Sequence, residues 1–223
     1  MAPLKKVLLA LVAVAVLIVG GTWIYINVIR EDAPDRLTVE VREAEPPADD
    51  DGTELAGVWA ATEGSEAGYR VDEILFGQNA TAVGRTTDVD GELVIEETTV
   101  TSTSMTVDLT TVTSDQDRRD GQFQGRIMDT ATFPTATFEL TQPIEVPEGS
   151  TTLTVPVTGE LTLRGTTKEV TFDLTARRNG ATIEVQGAIP IVFEEWGIPN
   201  PSNGPITTED RGELEFLVVF AKT

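Results

Sequence analysis

From Tyr69 to Phe220 the chain alternates apolar and polar residues with a period of two. Examples are Met105-Thr106-Val107-Asp108-Leu109, Val170-Thr171-Phe172-Asp173-Leu174 and Leu214-Glu215-Phe216-Leu217-Val218-Val219-Phe220. Successive side chains of a strand point to opposite faces, so this pattern buries one face and wets the other. The same alternation recurs at 69–72, 92–95, 153–157, 161–163 and 183–185. Threonine, β-branched and frequent between the apolar positions, suits the wet face of a strand. Asp90-Gly91, Glu148-Gly149, Arg164-Gly165 and Asn179-Gly180 read as turns between the runs. Only a stretch around Arg118 to Ile127 offers a short helix. Eight or so antiparallel strands in residues 57–223 predict an all-β domain, and closure into a barrel removes its edge strands.

The chemistry open to such a domain is narrow. The 223 residues include no His and no Cys. Disulfides, thiolate or imidazole zinc sites and Ser-His or Cys-His nucleophile pairs are therefore excluded. Lys+Arg number 16 against 37 Asp+Glu, a formal net charge of −21, and a surface of that sign repels phosphate backbones. Nucleic acid is not an expected partner. Carboxylate catalysis, binding of hard cations through oxygen, or no catalysis remain.

Residues 1–29 read as a cytoplasmic tail and a membrane anchor. Val7 to Val28 contains no charged residue, long enough for a transmembrane helix across about 30 Å of hydrocarbon. Lys5 and Lys6 precede it, while Arg30, Glu31 and Asp32 follow, which predicts a single-pass cell-membrane protein with a cytoplasmic N-terminus and an extracytoplasmic β domain. A cleaved signal peptide is the rival reading, but the apolar run is longer than an h-region of roughly 7–15 residues. Residues 30–56 carry ten acidic residues (31, 32, 35, 40, 43, 45, 49, 50, 51 and 54), three arginines and Pro34, Pro46 and Pro47. Too little apolar surface is available there to offset ordering entropy, which predicts a flexible stalk. Leu37 to Glu43 does alternate, so a short pairing with the domain is the lesser alternative.

Five motifs in the β domain carry a resemblance. They are Tyr69-Arg70-Val71-Asp72; Ala82-Val83-Gly84-Arg85-Thr86; Ser114-Asp115 with Arg118-Arg119-Asp120; Phe133-Pro134-Thr135-Ala136-Thr137-Phe138; and the block from Val157 to Val170 containing Gly159, Arg164-Gly165 and Lys168. In order and spacing they resemble the YceI family, lipocalin-like exported proteins described as polyisoprenoid-binding. The resemblance implies an antiparallel up-and-down barrel of about eight strands and a polyisoprenoid, isoprenoid quinone or similar lipid as ligand, with no other cofactor and no metal. One departure stands out: Gly121-Gln122 occupies the place where many relatives carry a His after the Arg-Asp pair.

A barrel of about eight strands is filled by side chains or holds one slender ligand. Only 6 % of residues are aromatic, and many inward candidates are small or aliphatic, which predicts an incompletely filled lumen. Its candidate lining is Phe76, Val83, Val107, Leu109, Phe123, Ile127, Met128, Phe133, Phe138, Leu161, Leu163, Phe172, Phe193 and Trp196. Arg85, Arg119 and Asp120 are candidate contacts to a polar head. The plain structural alternatives are a core for the apolar set, a local ion pair for Arg119 with Asp120, backbone devices for Gly84, Gly159 and Gly165, and a loop anchor for Trp196. The turn-rich segment from Glu194 to Gly204 predicts a loop or lid at one barrel end. Neighbours such as Glu194-Glu195 and Glu96-Glu97 face opposite ways on an extended strand, so they form no acid–base pair. Asp115, Asp117 and Asp120 lack the spacing of an EF-hand loop. The leading expectation is a membrane-tethered, non-catalytic lipid-binding protein, with a homodimer left open. A solid barrel acting in stress response or protein interaction is the alternative, and an enzyme using carboxylates ranks last.

Overall fold

Alternation this regular produces long strands, and the strands close on themselves. The structure, a computed structural model, describes residues 2–24, 33–39, 55–75, 77–147, 149–204 and 206–223. Thirteen strands form one antiparallel sheet: β1 (Gly57–Ala61), β2 (Glu66–Leu75), β3 (Gln78–Thr86), β4 (Val89–Glu96), β5 (Thr99–Asp108), β6 (Thr113–Ser114), β7 (Thr135–Leu140), β8 (Ile144–Glu145), β9 (Thr152–Leu163), β10 (Thr166–Asn179), β11 (Thr182–Val192), β12 (Ile206–Thr208) and β13 (Arg211–Lys222). Following the pairings β1-β4-β5-β7-β9-β10-β11-β13 returns to β1, an eight-strand closed barrel. β1 and β2 both pair with β13 and act as one long strand. At the break between them the Thr62 N–H donates to the Val219 carbonyl at 2.8 Å, and the Ser65 hydroxyl accepts from the Val219 N–H at 3.0 Å.

The two ends differ. At the helical end the chain leaves β5, forms a turn at Leu109–Thr111, helix α2 (Asp117–Gln122) and a wide helical turn at Phe123–Ile127, then returns as β7. The same end receives the excursion from Phe193 to Thr208, whose β12 pairs with β2 beyond the reach of β13. The opposite, hairpin end carries the β10–β11 turn after Asn179, the β4–β5 turn and the start of β1. Two apolar clusters line the interior, one around Phe123, Leu161, Leu163 and Phe172 and one around Trp59, Leu93, Ile95 and Phe220.

Several expectations change in detail. The runs at 153–157 and 161–163 belong to one strand, β9, and Asp90-Gly91 lies inside β4 rather than at a turn. Glu194 and Glu195 lie in a helical turn, Phe193–Trp196, not on a strand, and Glu195 accepts from Lys168 Nζ at 3.0 Å. Residues 33–39, within the segment expected to be a stalk, lie against the barrel. Val39 is buried, its N–H donates to the Gln186 side chain, and the Pro34 and Asp35 carbonyls accept from Arg70 and Arg85 on the barrel wall. Charge-assisted hydrogen bonds to a buried ionic cluster supply the ordering energy that composition alone does not reveal.

Helix α1 spans Ala2–Ile24. Among the described residues no helix is long and apolar enough to cross a membrane. The apolar run expected to cross continues to Val28, outside the described residues.

Candidate functional site

Inside the barrel lies a cavity of about 1600 Å³, larger than the roughly 300–1,000 Å³ of ordinary ligand pockets. Its wall includes Tyr69, Glu73 and Arg119 at the helical end, Val107, Phe138, Leu174 and Phe216 in the middle, and Thr152, Arg178 and Asn179 at the hairpin end, so it runs the length of the barrel. Val107, Phe138, Val155, Leu174, Val185 and Phe216 all point inward yet are only half-buried. Inward residues keep accessible surface only when the space in front of them is unfilled.

The lumen stays open because the rings lie against the wall. A Cβ at Gly84 would sit 2.4 Å from the Tyr69 ring, one at Gly159 2.3 Å from Phe138, and one at Gly187 2.7 Å from Phe216. Tyr69 pairs with Gly84 and Phe216 with Gly187 across adjacent strands. Each ring thus covers a glycine instead of projecting toward the axis, a seating that also shields the exposed glycine backbone. Tyr69 stacks on Phe123 at 5.0 Å, while Phe172 meets Phe138 and Phe216 edge-on at 5.6 and 5.8 Å.

Polar groups gather at the helical end. Glu73, buried on β2, faces Arg119 of α2 at 3.5 Å, and Arg119 also pairs with Asp115. Asp120 does not pair with Arg119; its carboxylate accepts from the Ser114 N–H at 2.8 Å and the Ser114 hydroxyl at 2.6 Å, fixing β6 to α2. Thr208, the β12 partner of Glu73, lines the lumen and is buried. Its hydroxyl has no hydrogen-bond partner among the described residues, which leaves one polar group for a ligand. Burial pushes the Tyr69 phenol well above its ordinary pKa, so it stays protonated and able to donate.

The residues singled out from sequence divide accordingly. Val107, Leu109, Phe123, Ile127, Met128, Phe138, Leu161, Leu163, Phe172, Phe193 and Arg119 line the lumen. Val83 does not: its neighbour Ala82 faces in, and Val83 lies on the outer side, in register with Arg70. Arg85 is likewise outside, bonded to Glu215 at 2.7 Å. Phe133 packs on the β9–β10 turn, where Gly165 has φ +73° and a Cβ would stand 2.5 Å from its ring. Trp196 is a buried anchor, with Lys168 Nζ 5.6 Å from its ring. Phe76 lies outside the described residues. Sequence reasoning missed Tyr69, Glu73, Thr208, Val185 and Phe216, although period two already pairs Tyr69 with Glu73 on one face. Among the described residues no group of three or more acidic side chains is arranged to hold a metal ion.

A closed antiparallel barrel with a continuous apolar lumen and polar groups at its ends is the architecture of a lipocalin-like barrel. The YceI-like domain model matches residues 60–220, and the chain belongs to that family. Its fold is shared with a polyisoprenoid binding domain from Saccharophagus degradans implicated in plant cell wall breakdown (15 % identity; 75 % of this chain and 99 % of that one; TM-score 0.60). It is shared also with Burkholderia cenocepacia BcnA (23 % identity; 68 % and 95 %; TM-score 0.52). No curated protein matches the sequence.

Proposed function

We propose that this protein holds one long apolar chain, of polyisoprenoid, isoprenoid quinone or similar lipid type, along its barrel lumen and performs no catalysis. The observation that carries this reading is the end-to-end apolar cavity of about 1600 Å³. Burial of a chain there contributes about 25 cal/mol per Å² of apolar surface, and a flexible prenyl chain can follow the lumen along its length. The polyisoprenoid-binding description of the Saccharophagus domain supports the same ligand class. Arg119, the Tyr69 phenol and the Thr208 hydroxyl, unpartnered among the described residues, support a polar head at the helical end. The solid-barrel alternative has no support from a hollow interior.

The apolar run of 7–28 would tether the barrel to a membrane and hold it on the extracytoplasmic side, within reach of prenyl carriers in the leaflet. The experiment is mass spectrometry of organic extracts of the protein purified from membranes. A stoichiometric chain-like lipid is the expected result. Recovery of none, together with no uptake of added geranylgeraniol, overturns the proposal. Thr208→Val should weaken geranylgeraniol binding more than Arg178→Ala; the reverse order would seat the head at the hairpin end.

A further inference from the structure

On the outer wall Glu215 is 2 % exposed, an unusual position for a carboxylate whose strand neighbours Leu214 and Phe216 face the lumen. Two guanidinium groups hold it: Arg70 Nε lies 3.1 Å from one oxygen and Arg85 Nη2 2.7 Å from the other. Both arginines then reach past the carboxylate to the N-terminal segment. Arg70 donates to the Pro34 carbonyl at 2.6 Å and Arg85 to the Asp35 carbonyl. Arg36 pairs with Glu213, which holds its guanidinium above its ordinary pKa, and Val39 buries its side chain while donating its N–H to Gln186. Four polar contacts, made by Pro34, Asp35, Arg36 and Val39, and the buried Val39 side chain thus tie the segment to β2, β3, β11 and β13.

The segment has a direction. Pro34 and Arg36 lie level with Arg70 and Glu213, register partners near the helical end. Val39 lies level with Gln186 and Leu217, farther toward the hairpin end. Chain order 34 to 39 therefore runs away from the helical end, so the N-terminal end of the described segment lies toward that end. From Ile24, the last residue of α1, to Ala33 is nine residue steps, at most about 30 Å of extended chain.

We propose that residues 33–39 are a strap, latched by the Arg70–Glu215–Arg85 cluster, that aims the polar, helical end of the lumen toward α1. Where α1 acts as the tether proposed above, on which this orientation rests, the strap points the Glu73–Arg119 end at the membrane. The barrel is thereby held in register with a leaflet from which a ligand could pass directly.

Trypsin tests the latch on the full chain, because Arg36 lies within the strap. Cleavage after Arg36, read by mass, should be at least tenfold slower than in Glu215→Gln. It should also be at least tenfold slower than in Val39→Ser, which alters only the strap and so leaves the barrel folded; equal rates in the wild type and Val39→Ser overturn the strap. Orientation is read with single cysteines, clean in a chain lacking native ones, at Asp117 on α2 and Ala181 in the β10–β11 turn. In phosphatidylcholine vesicles bearing nitroxide headgroups, a fluorophore at Asp117→Cys should be quenched severalfold more than one at Ala181→Cys, and Val39→Ser should erase the difference. Equal quenching in protein that floats with the vesicles overturns the orientation. Protein that does not float overturns the tether, and the aim at a membrane with it, while the trypsin rates still judge the strap.

Discussion

Glu73 and Arg119 face each other at 3.5 Å within the helical end of the lumen, their side chains 7 % and 16 % exposed. One comes from a barrel strand and the other from helix α2, in the insert between β5 and β7, so the pair joins the wall to its insert. Removing one partner of a buried ion pair leaves a charge desolvated without compensation. Arg119→Ala should lower the unfolding free energy by about 3 kcal/mol in urea titrations. A loss below about 1 kcal/mol would show that the α2 segment is not held through this pair. Asp120→Asn, which weakens only the Ser114 contacts, should cost about 1 kcal/mol.

The glycine seats give a second expectation. At Gly159 an added methyl meets the Phe138 ring and the Glu139 carbonyl, both nearer than 3 Å. The ring can escape only toward the axis, where the lumen is. Gly159→Ala should cost about 1–3 kcal/mol, the range for overpacking, and reduce the amount of geranylgeraniol bound. Stability lost without any loss of binding would mean that the ring moves elsewhere.

Tyr69 supplies a pH dependence. Burial raises the phenol above its ordinary value of about 10, so between pH 10 and the folded-state value the native protein holds a proton that the unfolded chain has released. The unfolded state then binds fewer protons, and stability must fall as pH rises through this window, while below pH 10 the contribution is fully present. In a Tyr25→Phe background, which leaves Tyr69 as the single tyrosine, absorbance at 295 nm should show no phenolate at pH 10.5 until the barrel unfolds. Ionisation of the native protein with a midpoint near 10 would refute the burial of this ring.

The strands were legible because period two is written into each of them, and the helical insert was legible near Arg118–Ile127 because alternation stops there. Which face of a strand turns inward was not always legible. In Ala82-Val83-Gly84-Arg85 the larger apolar residue attracted the inward assignment, but the register with β2 turns Ala82 and Gly84 in, and Val83 and Arg85 out. The ring seats were hidden for a related reason: Gly187 and Phe216 are 29 residues apart in sequence, and only the β11–β13 register joins them. The strap was hidden more deeply. Its partners Arg70, Arg85, Gln186, Glu213 and Glu215 are scattered over three strand pairs, and an acidic, proline-bearing segment carries no local sign that a cluster of arginines awaits it.

Whether the lumen is hollow separates a binding protein from an inert barrel, and Val185 offers the test. It faces the cavity from β11, between Ala176 on one side and Val218 on the other, and it is only half-buried. In a packed core, replacing valine by tryptophan forces neighbours off their rotamers and costs about 1–3 kcal/mol or more. In a cavity of about 1600 Å³ the indole has room, and its burial roughly offsets the lost freedom of the side chain. Val185→Trp should therefore unfold within about 1 kcal/mol of the parent protein while binding of geranylgeraniol falls at least tenfold, since the ring blocks the path of the chain. Marked destabilisation would mean that side chains already fill this level of the barrel, and unchanged binding would mean that the ligand does not pass it.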